Sequence, residues 1–244
     1  MSNYAKHVFN LSQVYRFVGK NLNHQTAVDQ HSYRVSCLAL AIADQYNNEQ
    51  DMEDDKISVE MVLRKALLHD LEETITGDIP SPVKKIGNLR AELRNAGELL
   101  LKERVFNDTP DPEGYLKVWK QDKRGPSGEV IEVADKLEGL LSSYFEVKNG
   151  NWQLEGPFIH HLAWFESRKG KKLLRKFSYA KKEFVEVAEF IVNRKKYDDQ
   201  FDVEISSVLK SVVKEINKAQ EEADAEEADA TKDTKSNGNK SSGK

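Results

Sequence analysis

The chain is expected to be all-α, and three observations carry that expectation. Apolar residues recur at helical spacing almost throughout, and no stretch alternates convincingly enough to suggest a strand. The six prolines are spread thinly, so long stretches run without a helix breaker. At 244 residues, with 39% hydrophobic and 32% charged residues, the chain can bury one sizeable core and still present an ordinary polar surface.

The elements follow in order. An N-terminal helix is expected to carry Arg16. Beyond it, Val35, Leu38, Ile42 and Tyr46 form one helical stripe, with His31 a turn ahead on the same face and Asp29 as the N-cap. Cys37, in the run CLALAIA, reads as a small buried hydrophobe. The next helix, SVEMVLRKALLHDLEET, starts at Ser58. Met61 and Val62 lead into Ala66, His69 and Glu73, while Leu63, Leu67 and Asp70 follow the adjoining line. Gly77, Pro80 and Pro82 in TGDIPSP then enforce a turn and an extended stretch. A helix over Leu89–Phe106 ends at NDTPDPEG, and a short one around Tyr115–Lys123 precedes RGPSG. EVIEVADKLEGLLSSYFEV is strongly helical, with Ile131, Ala134, Leu137 and Leu141 on one stripe, Asp135 beside it, and NGN at 149–151 as its stop. Two long helices complete the pattern. The first carries Leu173, Phe177, Ala180, Phe184, Val187 and Ile191, and the second spans Phe201–Ile216.

After Ile216 there is no Val, Ile, Leu, Met or aromatic residue. Residues Glu221–Lys244 hold seven acidic residues and four lysines, which is most of the net charge of −4. Such a segment has nothing to bury, so the expected organisation is one helical domain over 1–218 and a disordered acidic tail over 219–244. No run reaches the roughly 20 apolar residues of a membrane span, and the N-terminus lacks the apolar core of a secretory signal. With one cysteine and no possible internal disulfide, a reducing cytoplasm is the expected compartment. Arg168–Lys182 contains eight basic residues and no acidic ones, but Leu173, Phe177 and Ala180 interleave at core spacing. It reads as a solvated helix face, and a nucleic-acid partner is not expected.

The informative residues are polar ones placed on apolar stripes. His31, His69, Asp70 and Asp135 each share or border the buried face of an expected helix. A buried carboxylate needs a partner or a metal, and two imidazoles with two carboxylates suit a first-row divalent ion. His69 and Asp70 differ by about 100° around a helix, so both can reach one ion only where the helix end points at it. The turn at Thr76–Pro82 makes such an end reasonable. Taken singly, each of the four has a duller explanation, as a hydrogen-bonded core histidine or a capping aspartate.

The pattern H…HD…D, written here as QHSYRV, ALLHDLEE and VADKLEG, resembles the HD-domain phosphohydrolase superfamily. Within it the chain is similar to the small 5′-deoxynucleotidases of the YfbR type. Glu73 stands three residues after Asp70 and is followed by TGDIPSP, similar to that family's HD-x-x-E and TGD-[IL]-P-[ST]-P segment. Arg16 stands fifteen residues before His31, where the family carries a phosphate-contacting arginine. The similarity spans about Val14 to Ser143.

The resemblance implies an HD-domain helical bundle and a metal-dependent hydrolysis of deoxynucleotides. His31, His69, Asp70 and Asp135 would hold one divalent transition ion of the Co²⁺, Mn²⁺ or Zn²⁺ type. No histidine or cysteine lies between Leu71 and Ala134 to recruit a second. Glu73 would transfer the proton, Arg16 would clamp the phosphate, and Asp78 would accept from the sugar 3′-hydroxyl. Where the family has tryptophan after the arginine, this chain has Phe17, which can still pack near the 2′ position but has no N–H donor. His160 and His161 are expected to be structural, Glu72 a surface or capping residue, and the protein a homodimer. The leading activity is 5′-nucleotidase action on deoxynucleoside monophosphates. Release of triphosphate from a deoxynucleoside triphosphate is the nearest alternative, with Lys84, Lys85, Arg90 and Arg94 as extra cations at the mouth. A non-catalytic nucleotide-binding module is the alternative from another class.

Overall fold

The computed structural model describes residues 1–195; the expected helix Phe201–Ile216, the acidic tail, the boundary at 218–219 and the side chain of Ile191 lie outside them. The described residues form helices α1 (Asn3–Asn10), α2 (Val28–Asn48), α3 (Val59–Leu68), α4 (Glu73–Thr76), α5 (Ser81–Lys84), α6 (Leu89–Leu100), α7 (Pro112–Lys120), α8 (Gly125–Lys148), α9 (Glu155–Glu166), α10 (Arg168–Lys176) and α11 (Ser178–Lys195). Among them there is no strand, only one antiparallel bridge between Tyr15 and Ala27. None of these helices is long and apolar enough to cross a membrane.

The chain divides into two compact units, residues 1–182 and 183–244. In the second, residues 183–195 form the last part of α11, where Phe184 and Val187 are buried. The first unit is built around α8, whose buried residues lie on every side of the helix, from Val130 and Ile131 to Tyr144 and Val147. It packs against α2, α3 and α9, and α2 and α3 also pack on each other. A second apolar cluster joins Leu68 and Leu71 to Leu101, Val105 and Phe106, which follow α6 in the chain, and to Leu116 and Trp119 of α7.

Several local expectations are corrected. Ala27, not Asp29, is the N-cap of α2; its N–H donates to the Gln30 side chain at 3.1 Å, and Asp29 sits in the first turn, where the helix dipole favours an anion. Cys37 is exposed, because Val35, Ala39, Ile42 and Ala43 take the inward stripe and Cys37 falls on the outer side. The helix from Ser58 does not run through Glu73. It stops at Leu68 with His69 as C-cap, and residues 69–72 make tight turns before α4. Arg16 is not helical: after α1 and a 3₁₀ turn at Leu11–Gln13 the chain runs extended into the Tyr15–Ala27 bridge. The helix expected across Phe177 is broken there. Phe177 is extended, buried, and set edge-on to Tyr46, with ring centroids 5.6 Å apart.

Candidate metal centre and active site

Three elements deliver the polar residues found on apolar stripes. The first turn of α2 supplies His31, the turn after α3 supplies His69 and Asp70, and the middle of α8 supplies Asp135. Because α3 stops at Leu68, His69 and Asp70 leave the helical lattice and turn to the same side. The His69 Nε2 lies 3.1 Å from Asp70 Oδ2, which is also 3.4 Å from His31 Nε2. The two Nε2 atoms are 3.3 Å apart, and Asp135 Oδ1 is 3.7 Å from that of His31. His31, His69 and Asp135 offer ligand atoms all within 4.8 Å of one another, and all three side chains are buried.

The tautomers follow from the partners. His31 Nδ1 donates to Glu138 Oε2 at 2.6 Å, and His69 Nδ1 donates to the Ala66 carbonyl at 2.7 Å. With each Nδ1 committed as a donor, the two Nε2 lone pairs converge on one point beside two carboxylates. Two ring nitrogens set this close need a proton or a metal cation between them, and two imidazoles with two carboxylates fit a divalent ion of borderline softness. The ionisation states agree. Burial works against the Asp70 carboxylate, but the neighbouring imidazoles hold it well below the usual range. Burial likewise opposes Asp135, and Lys136 and Lys123, each 3.1 Å from Oδ2, outweigh it. Burial alone would depress His69, yet Asp70 raises it to about 9; a proton is drawn to the very nitrogen that would ligate an ion.

Glu73, the first residue of α4, is buried. Its Oε1 accepts from Lys84 Nζ at 3.1 Å, and its Oε2 is buried with no partner among the described residues. Desolvation first, and then repulsion from Asp70, push its carboxyl to about 9. Gly77 ends α4 at φ 73°, a left-handed value that glycine adopts freely, and the chain turns to present Asp78. Arg16 adjoins the centre, with Nη1 3.7 Å from Asp70 Oδ2 and a buried Nε that has no partner among the described residues. Phe17 is held at φ 56°, an uncommon conformation for an aromatic residue, with its ring 5.8 Å from the Arg16 guanidinium carbon. Arg16, Phe17, Gly77 and Asp78 line one cleft of about 630 Å³, together with Gln13 and Gln25. Arg16, Phe17 and Asp78 therefore share this cleft, Arg16 links it to the centre through Asp70, and Glu73 stands three residues after Asp70, paired with Lys84.

Two glutamates were misjudged or missed. Glu72 is not a surface residue: its Oε2 accepts from Trp119 Nε1 at 2.7 Å, and desolvation raises its carboxyl to about 7. Glu138, which sequence reasoning did not single out, is buried and accepts from His31, from Arg34 Nε at 2.8 Å and from Ser142 Oγ at 2.7 Å. The available signal was its position, one turn after Asp135 on the same inward run of α8. His160 is exposed; His161 is half-buried, with its ring lying where a Cβ on Gly139 would stand. The basic run on α10 does behave as a solvated face: Lys169, Lys171 and Lys176 pair with Glu132, Glu166 and Glu129.

Residues 3–172 match the family model described as 5′-deoxynucleotidase YfbR-like. The chain is 27% identical to a 5′-deoxynucleotidase of Danio rerio over 173 residues, covering 66% of this chain and 80% of the relative. Among solved structures, an HD-domain phosphohydrolase from Listeria innocua superimposes with a TM-score of 0.67 at 21% identity, over 87% of this chain and 97% of the other. A cyanophage S-2L HD phosphohydrolase, solved with dA and one catalytic Zn²⁺ ion, shares the fold with a TM-score of 0.52 at 16% identity, over 75% and 96% of the two chains.

Proposed function

The chain belongs to the YfbR-like 5′-deoxynucleotidase family, and from that premise we propose that it is a metal-dependent phosphohydrolase that releases phosphate from deoxynucleoside 5′-monophosphates. The observation that carries the reading is the convergence of the His31 and His69 Nε2 atoms at 3.3 Å beside Asp70 and Asp135, with Arg16, 3.7 Å from Asp70, also lining a cleft with Asp78.

In this reading His31, His69, Asp70 and Asp135 hold one divalent cation, which when bound polarises a phosphoryl oxygen and makes water a better nucleophile. The zinc-bearing phage relative supports one ion, and the donor set admits Co²⁺, Mn²⁺ or Zn²⁺. Arg16 faces the centre with its guanidinium ready to take two phosphate oxygens, a fork that lysine does not offer. Glu73 moves the proton. Its carboxyl, raised to about 9 by burial first and by Asp70 second, holds a proton at neutral pH, and a cation held at the centre would offset the Asp70 contribution and lower it. Its unpartnered Oε2 is the atom free to receive a proton from water or to give one to the departing 5′-oxygen. Lys84 fixes the other oxygen, and Asp78 supports the sugar from the cleft wall.

Triphosphate release is the less favoured reading. Of the cations that would serve a triphosphate, Lys84 is tied to Glu73, and Arg94 is bonded to the Trp119 carbonyl and Asp122 at 2.7 and 2.9 Å.

A product panel tests the proposal: deoxynucleoside mono-, di- and triphosphates, each with Co²⁺, Mn²⁺, Zn²⁺ and Mg²⁺, assayed for phosphate and triphosphate separately. Phosphate from the monophosphates is expected, and an Asp70→Ala variant should be silent with every ion. Triphosphate as the product, or full activity in Asp70→Ala, would overturn it.

A further inference from the structure

Glu138 is three residues beyond Asp135 and has no place in the hydrolysis described above, yet it is among the most buried charged groups of the molecule, 2% exposed. Such a carboxylate is costly unless every lone pair is used. Here Oε2 takes the His31 Nδ1–H at 2.6 Å, while Oε1 takes Arg34 Nε at 2.8 Å and Ser142 Oγ at 2.7 Å. The Arg34 side chain reaches in from the surface, 42% exposed, and sits one turn along α2 from His31. The carboxylate is therefore held at both ends, one oxygen against the imidazole and the other against a fixed cation and a hydroxyl.

We propose that Glu138, pinned by Arg34 and Ser142, is the positioning residue of the metal centre. It locks His31 in the tautomer that carries its proton on Nδ1 and so leaves Nε2 as a permanent, strongly donating ligand. An imidazole whose outer nitrogen donates to a carboxylate is oriented and made more basic at the inner one. His69 does not share this arrangement, since its Nδ1 donates to the neutral Ala66 carbonyl. The asymmetry makes His31 the anchoring ligand and predicts that the two histidines respond differently when their outer partners change. The inference rests on the reading that His31 ligates an ion.

The test uses Co²⁺ alone as probe on the full chain, following its visible absorption during titration and during competition with a chelator. Glu138→Gln keeps the shape and one acceptor but removes the charge, and should weaken Co²⁺ binding by about 10–100-fold. Excess Co²⁺ should restore phosphate release. Arg34→Met, altered at a side chain that is 42% exposed, should weaken Co²⁺ in the same direction by a smaller factor. His31→Ala and Asp135→Ala serve as references and should bind Co²⁺ far more weakly than either. Unchanged Co²⁺ affinity in both Glu138→Gln and Arg34→Met, with the references impaired, would overturn the positioning role and leave the metal reading standing. Unchanged affinity in the references would overturn both. Weakened Co²⁺ binding that excess metal does not rescue would mark Glu138 as merely structural, and would also overturn the proposal.

Discussion

His161 sets its imidazole against Gly139, close enough that any Cβ there would stand 2.4 Å from the ring's Cε1. Its Nδ1 is buried without a partner among the described residues, and burial, reinforced by Lys136, lowers its pKa to about 3. The folded protein therefore keeps His161 neutral through the mildly acidic range, while the unfolded chain takes up a proton near pH 6.5. Stability from this group is complete above about pH 6.5 and declines as pH falls toward 3, at about 1.4 kcal/mol per pH unit. Urea unfolding at pH 7 and pH 5 should show a loss in the wild type that shrinks in His161→Leu; equal losses in the two would contradict it. At this scale the sequence revealed residues whose chemistry clashes with their neighbours. His31, His69, Asp70 and Asp135 stood out because a polar group on an apolar stripe demands an explanation. Glu72 and Glu138 did not, because a glutamate in a helix is unremarkable until its partners are known, and those partners, Trp119 and His31, lie 47 and 107 residues away in the chain.

Helix α8 begins on a tight contact. A Cβ on Gly128 would stand 2.4 Å from the backbone carbon of Lys123, so the first turn of α8 lies against the preceding turn with no side chain between them. In a free helix, replacing glycine by alanine would gain about 1 kcal/mol. Here backbone must move, and overpacking of that kind costs about 1–3 kcal/mol. Gly128→Ala should therefore be neutral to destabilising by about 2 kcal/mol in chemical denaturation, and a clear gain in stability would refute the contact. The helices themselves were easy to read, since α2, α3 and α8 each carry an unbroken apolar period. Their ends were harder. Residues 69–76 contain no glycine or proline, so nothing local announces the stop at Leu68; the turn is set by Leu71 entering the core and by Glu72 reaching Trp119. The break at Phe177 has the same origin, a large ring turned inward toward Tyr46 at the expense of one helical step.

For the molecule as a whole, the all-helical class follows from periodicity that any one stretch of the chain displays, whereas the convergence of three helices on one point depends on contacts across the first unit. The ligands proposed here come from α2, the end of α3 and α8, so an ion bound there favours the folded state over the unfolded one. At a metal concentration a hundred times the dissociation constant, that linkage is worth about 2.7 kcal/mol. Chelation should accordingly lower the melting temperature by several degrees, measurable by scanning fluorimetry, and Asp135→Ala should melt at the same temperature with or without metal. A metal-insensitive wild type would argue against the site. The 107 residues that separate His31 from Glu138 have a further consequence, in time. A growing chain that has produced α2 and α3 holds two histidines and an aspartate but neither the third helix nor the carboxylate behind His31. If these residues hold the ion, as proposed, the nascent protein would compete poorly for scarce metal until α8 has been made and docked, and the capacity to cleave a phosphate ester would arrive late, when the first unit closes.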